Sequence, residues 1–381
     1  MEILMLSTDK KFFQAGSEAQ RRLVDYYGKA ARAVHVVVFT SRYENYRKTF
    51  YGNVTVYPTR SFLKFLGVFD YCVIGLRIIQ SASSKSDFLI TTQDPFLTGL
   101  AGFFLKKKFK LNLLVQIHTD FLSPYFRSES LLNLLFSKLG VFLVKRADYL
   151  RAVSERIKSS VINEVQVPED QVATLSVFVD VKAIRDARPR LNLHSKYPNR
   201  DFIILMASRI TKEKNFNLAI SAIASLTKKH PSILLLIVGS GPEIFNLKSR
   251  IASLKLENNV IIESWNNDLN SYYKTADAFL LNSNYEGYGR TIIEAFAAGL
   301  PVLMTDVGCA GWIAKNNENA VIFPVGDFEA LSKELEVLIK NKALRSNLSR
   351  RALQSVADFG TSDQYLKSFQ NLFKNAYERN S

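Results

Sequence analysis

Apolar runs of three to six residues alternate with amphipathic stretches along almost the whole sequence, and few folds accept that order. In the first half the runs are Ile3–Leu6, Val34–Phe39, Phe88–Ile90, Leu113–Ile117 and Tyr149–Val153, with helical patterns such as Ser17–Ala31 and Ser130–Lys145 between them. In the second half they are Phe202–Ala207, Ile233–Val238, Val260–Ile262, Ala278–Leu281, Pro301–Met304 and Val321–Phe323, with helices that include Asn217–Thr227 and Thr291–Ala298. A run that is apolar at nearly every position is buried on both faces, whereas a strand with one wet face alternates. Strands of this kind separated by helices build parallel sheets covered on both sides. A polar stretch bearing Arg and Pro, Lys182–Arg200, interrupts the series and reads as a linker. The expectation is an α/β protein with two doubly wound, Rossmann-like domains, residues 1–182 and 183–361, ending in an amphipathic helix at Asp363–Glu378.

Composition narrows the function classes. At roughly 150 residues per domain, 381 residues make two or three domains, and 47% hydrophobic residues exclude a disordered chain. The opening MEILMLSTDK is too short and acid-flanked for a signal peptide and reads as the first strand. No stretch approaches the roughly 18 apolar residues of a membrane span; the nearest, Leu131–Val144, is interrupted by Lys138. Cys72 and Cys309 are too few for a disulfide framework or a zinc site, so a reducing cytoplasmic location is the default. Net charge is +15, from 50 Lys/Arg against 35 Asp/Glu. Residues 1–180 carry 24 − 16 = +8 and the rest 26 − 19 = +7, so the excess is no basic tail. Such a balance favours anionic lipid surfaces, phosphorylated substrates or nucleic acid, against a generic basic surface.

Ligands of open parallel sheets bind beyond the carboxyl ends of the strands, and the polar motifs fall there. Ser7–Gly16 follows the first strand and His118–Asp120 follows Leu113–Ile117. In the second half Ser208–Lys214, Gly239–Pro242, Trp265–Asn267 and Asn282–Gly289 each follow a strand. Two domains facing each other across those edges would share one cleft. In Tyr285–Glu294, Gly287 and Gly289 permit close backbone approach, and a helix starting near Arg290 offers free N–H groups and a favourable dipole to an anion. Glu286 precedes that site and Glu294 lies one turn inside it, where a carboxylate can accept hydrogen bonds from a sugar diol. The bland alternative is a pair of surface carboxylates beside a turn. Arg209 and Lys214, in one short loop, suit a diphosphate; a solvated basic loop is the competing reading. Gly239–Pro242 could be an ordinary turn, and His118 an ordinary core histidine.

Together these residues resemble the retaining glycosyltransferases of the GT-B fold, specifically glycosyltransferase family 4. The hallmark is two glutamates separated by seven residues, here Glu286 and Glu294, within NSNYEGYGRTIIEAFAAGLPVLMTDVG. SRITKEKNF, VGSGPE, QIHTD and AVSERIKSSV match further elements. The resemblance implies that Glu294 binds the ribose of a nucleotide. It implies that Arg209 and Lys214 neutralise the diphosphate, aided by Thr291 and the backbone of Gly287–Arg290 (Tyr288, Gly289). Glu286 and His118 would contact the transferred sugar, with Trp265 near the base. The C-terminal helix, 362–381, would cross back onto the N-terminal domain. The early double-glycine loop of the family is here Gln14-Ala15-Gly16-Ser17-Glu18, which leaves only Gly16, and the Asn-Gly-Val-Asp element is here Ser176-Val177-Phe178-Val179-Asp180.

The expected reaction moves a hexose from a UDP- or GDP-linked sugar to a saccharide or lipid-linked saccharide with retention, needing no metal and no cofactor. The acceptor would meet the N-terminal domain, where Arg42–Lys64 is rich in Tyr, Phe, Arg and Lys. Lys106–Lys108 with the apolar Leu131–Val144 would give peripheral contact with an anionic membrane at its inner face; a solvated charge run beside a buried helix is the alternative. A GT-B epimerase or hydrolase and a basic non-enzymatic binding protein are the rival functions. Nucleic acid is disfavoured by the even charge split and the lack of a nucleic-acid module.

Overall fold

The computed structural model describes residues 1–63 and 65–379, so Lys64, at the end of the aromatic segment, and Asn380 and Ser381 lie outside the described residues. The chain forms two compact units. The first is Met1–Ser176 with Ser362–Ser381, and the second is Val177–Thr361.

The first unit holds an eight-stranded sheet: β1 Glu2–Ser7, β2 Ala33–Val38, β3 Thr49–Tyr51, β4 Val54–Pro58, β5 Phe88–Thr92, β6 Leu113–Ile117, β7 Tyr149–Ala152 and β8 Val172–Thr174. The order is β3-β4-β2-β1-β5-β6-β7-β8, and every pair is parallel except β3 with β4. β5, β6 and β7 are buried at every position, as continuous apolar runs require. The β3–β4 hairpin lies within the stretch read from sequence only as an aromatic, basic segment. Its strands are short, β3 forms the sheet edge, and Gly52 takes φ +60° in the connecting turn. The helix expected over Ser17–Ala31 starts as an α-helix, Glu18–Arg22, and widens to a π-helical turn at Leu23–Gly28. Tyr27 there packs edge-on against Phe369 and Phe373 of the terminal helix Ser362–Glu378. That helix also receives Asn112 Nδ2 on Tyr377 O, at 2.7 Å.

The second unit holds six strands, all parallel: β9 Phe202–Ala207, β10 Ile233–Val238, β11 Val260–Glu263, β12 Ala278–Leu281, β13 Val302–Thr305 and β14 Val321–Phe323. Their order is β11-β10-β9-β12-β13-β14. From β9 the chain winds outward through β10 and β11, then returns to β12 on the other side, so the topological switch point lies between β9 and β12. The stretch Lys182–Arg200 overlaps one short helix, Val181–Asp186, and contains another, Leu193–Lys196. It is anchored in the second unit: Ser271 Oγ accepts from the amides of Arg190 (2.7 Å) and Leu191, and Thr275 Oγ1 from that of Leu193.

Candidate active site

The loops that follow β9 and β12 meet at the switch point of the second unit, where doubly wound sheets bind their ligands. Asparagines hold them together. Asn282 Nδ2 donates to Asn215 O at 2.8 Å, Asn215 Nδ2 to Asn284 Oδ1 at 3.0 Å, and Asn284 N to Glu213 O at 2.7 Å. Asn215 adopts φ +47°, a left-handed conformation that Asn tolerates better than most residues. This stitching brings Lys214 Nζ into an ion pair with Glu286, both side chains largely buried. Ser283 Oγ donates to the same carboxylate at 2.8 Å. A small hollow beside them is lined by Ser208, Lys214, Asn282, Ser283 and Thr291. Arg209 differs: its side chain is 79% exposed, and its nearest acid, Glu213, is 3.5 Å away. One cation is therefore held in place and the other reaches into solvent.

Glycines set how closely these loops approach. A Cβ on Gly239 would lie 1.9 Å from Ser208 O, and one on Gly241 2.2 Å from Ile210 O. Ile210 N donates to Ser240 O at 2.9 Å. Gly239–Pro242 is thus the support on which the Arg209 loop rests. Gly289 opens the helix Arg290–Ala297 with φ +83°, and no side chain caps it, so the positive end of the helix dipole faces this loop and favours an anion. Gly287 and Tyr288 are buried in the loop before it, and a Cβ on Gly308 would lie 2.7 Å from Tyr288 O. Glu294, 9% exposed, accepts from Tyr273 Oη at 2.8 Å and pairs with Arg290 Nε at 2.8 Å. Burial, followed by the charge of Glu294, pushes the Tyr273 phenol well above its ordinary pKa, so it stays a donor. Trp265, half exposed, stands after β11 on the same sheet edge, two strands from β9.

In the first unit His118 follows β6. Its Nε2 is buried and has no hydrogen-bond partner within the protein. Burial, then the nearby charges of Arg151 and Arg22, lower its pKa from 6.5 to about 3, so the imidazole is neutral in ordinary buffers. Arg151 is braced by Gln116 Oε1 (2.8 Å), Leu175 O (2.9 Å) and Tyr365 Oη (3.0 Å). Gly16 follows the first strand in an exposed loop with φ +76°, and a Cβ there would touch nothing within 4 Å.

Residues 190–355 match the family model for glycosyl transferases group 1, and residues 20–183 match that for glycosyltransferase family 4. The chain belongs to glycosyltransferase family 4. It is 27% identical to the lipopolysaccharide core biosynthesis glycosyltransferase LpsE of Rhizobium meliloti, over 40% of this chain and 44% of LpsE. It is 23% identical to the N-acetyl-alpha-D-glucosaminyl L-malate synthase of Bacillus anthracis, over 69% of this chain and 68% of that one. The aligned stretch thus spans less than half of one relative and about two thirds of the other. The crystal structure of Anabaena Alr3699/HepE in complex with UDP-glucose superposes with a TM-score of 0.76 at 19% identity, covering 98% of this chain and 100% of that one. The fold is that of the GT-B structures, with two parallel-sheet α/β domains.

Within this chain, Arg209, Lys214, Glu286, Gly287, Tyr288, Gly289, Arg290, Thr291 and Glu294 all lie on the two loops and one helix that meet at the β9–β12 switch point. Gly16 and His118 belong to the other unit. Sequence reasoning missed Tyr273 and Arg151, and it gave no separate role to Asn215 and Asn282, which lie within SRITKEKNF and Asn282–Gly289. Arg151 had a readable signal, a lone charge inside the strand Tyr149–Val153. Tyr273 had none, because its helix, Leu269–Thr275, carries no motif.

Proposed function

We propose that this chain transfers a hexose from a nucleotide-diphosphate sugar to a hydroxyl of a saccharide or lipid-linked saccharide, with retention and without a metal ion. The observation that carries this is the Lys214–Glu286 pair beside Thr291 at the opening of the helix Arg290–Ala297, with Arg209 extended next to it. A diphosphate needs fixed positive charge and amide donors, and this corner supplies both.

In the reaction, the bond between the anomeric carbon and the diphosphate oxygen breaks and positive charge develops on the sugar ring. Lys214, Arg209 and the helix amides stabilise the departing phosphate, the role a divalent cation would otherwise take. The acceptor oxygen bonds to the anomeric carbon on the same face, and its proton passes to the departing phosphate oxygen. Glu294, oriented by Tyr273 and Arg290, holds the ribose hydroxyls. Glu286 contacts sugar hydroxyls, and Lys214 holds it in position. Neutral His118 offers Nε2 to the transferred sugar. Trp265 lies near the base, and the Gly16 loop near the phosphates. The glycan product is in keeping with LpsE, a lipopolysaccharide core enzyme by name.

The test is thermal stability of the purified chain against UDP-, GDP- and ADP-linked sugars, with and without EDTA. A ligand that binds only the folded state raises Tm. A rise with one nucleotide class that EDTA leaves unchanged supports the reading and fixes the nucleotide. No rise with any donor rejects it in favour of a basic binding protein. Donor consumption at the same rate with and without acceptor identifies a hydrolase or epimerase instead.

A further inference from the structure

The first unit leaves much large apolar surface uncovered. Of the nineteen exposed large hydrophobic residues among those described, fifteen belong to it. Most stand on three helices, Gly67–Ser81, Leu97–Phe109 and Leu131–Val144, and on the segment leading into the first of them. These helices pack side by side: a Cβ on Gly75 would lie 2.7 Å from Leu105, and the rings of Phe103 and Phe142 are 5.8 Å apart, edge to face.

The pattern on each helix is the same. Leu66, Phe69 and Val73 form one exposed stripe that ends in exposed Arg77. Exposed Phe104 is followed by exposed Lys107 and Lys108. On the third helix Leu131, which is 82% exposed, Leu135 and Phe142 line up with Lys138 and lead to Lys145 and Arg146. The cations border the apolar residues and lie on them. The Arg146 guanidinium is 3.6 Å from the Phe142 ring centre, and that of Arg42 is 3.7 Å from the Phe62 ring centre. The three helices together contain five basic residues and one acidic residue, Asp70. Lys106, one of the lysines expected from sequence to face a membrane, is instead tied to Asp148 at 2.7 Å and to Arg146 O.

We propose that this outward face seats the protein on an anionic bilayer, with Leu131, Leu135, Phe62, Phe65, Leu66 and Phe69 among the upper acyl segments and the flanking Lys and Arg at the headgroups. Three features select lipid over a protein partner. The apolar side chains project from convex helix surfaces, the charge is almost wholly positive, and long basic side chains end each stripe, from where they can reach outward to phosphate. No described helix is long and apolar enough to cross a membrane. At ~1.5 Å per residue, the 14-residue helix Leu131–Val144 would span only about 21 Å, so it lies along the interface. The proposal stands independently of the transferase reading.

The test is flotation of the full chain with vesicles of phosphatidylglycerol and phosphatidylcholine in equal parts, and of phosphatidylcholine alone, at 0.1 and 1 M NaCl. Binding is expected on the anionic vesicles at low salt, at least 10-fold above that on neutral vesicles. The triple variant Phe69→Gln/Leu131→Gln/Leu135→Gln should bind at least 10-fold more weakly. Lys107→Gln/Lys108→Gln should lose about 5-fold per charge at low salt and little at high salt. Unchanged circular dichroism and an unchanged Tm would show that the variants are folded. Absence of binding to anionic vesicles overturns the proposal, as does equal binding by the triple variant. Self-association without lipid that the triple variant abolishes would also overturn it, by making the face an interface between copies.

Discussion

The two units bury their sheets alike and finish their carboxyl edges differently. At the β9–β12 switch point the acidic side chains are engaged, Glu286 by Lys214 and Glu294 by Tyr273 and Arg290, and the asparagines bridge the loops, although Asn282 Oδ1 is buried without a hydrogen-bond partner and Arg209 extends into solvent. In the first unit His118 Nε2 is buried without a partner and the Gly16 loop lies open, while large apolar side chains face outward on the helices. A self-satisfied site is preorganised, so a ligand meets charges already in place. A site with open hydrogen-bonding capacity is completed by what it binds. On the function proposed above, the second unit would bind the donor, and the first unit would meet sugar, acceptor and lipid.

The largest test of this contrast is kinetic. Lys214→Ala removes the fixed cation and leaves Glu286 without its ion-pair partner, so kcat should fall by about 10² to 10³. His118→Ala should cost about 10-fold. Steady-state rates that reverse this order would break the comparison. Next is stability. Gly239→Ala drives a methyl into Ser208 O and should destabilise by about 2–3 kcal/mol, a Tm fall of roughly 5–10 °C, whereas Gly16→Ala in open space should cost about 1 kcal/mol. Equal effects would mean that the two edges are equally packed. Glu294→Gln should weaken donor affinity by about 10- to 100-fold by calorimetry, the value of hydrogen bonds to a charged group, with kcat changed less than Kd. A pH slope is a separate test. The pKa of folded His118, about 3, lies below 6.5, so between those values the unfolded state binds a proton that the folded state does not. Stability then rises with pH across that window by up to about 1.4 kcal/mol per unit from this group. Tm curves for His118→Asn should be correspondingly flatter between pH 4 and 6.5; parallel curves would show that His118 is not held neutral.

Legibility followed the same division. The second unit was readable because its strands are uninterrupted apolar runs and its site is written in contiguous motifs, Ser208–Lys214 and Tyr285–Glu294. The first was harder. β3 is a three-residue edge strand, β3 and β4 lie inside a stretch whose aromatic and basic residues resemble a loop, and β8 is three residues long. The π-helical turn at Leu23–Gly28 leaves no mark in periodicity. Arg151 and Tyr365 meet only because a helix more than 200 positions away packs on β5 and β6, and no local pattern carries that information. For Gly239 and Gly241 an ordinary turn was one open reading, whereas their role depends on the carbonyls of Ser208 and Ile210, 239 − 208 = 31 residues earlier in sequence.

The terminal helix Ser362–Glu378 also imposes an order on biogenesis. The ribosome makes Val177–Thr361 before that helix, so the second unit can close while the first still lacks its last element. Until residues 362–379 leave the exit tunnel, Tyr27 and the Arg151 network lack their cover from Phe369, Phe373 and Tyr365. The nascent chain thus presents an unfinished, sticky half for the time it takes to translate the other, and that interval is when a chaperone would be of most use to it.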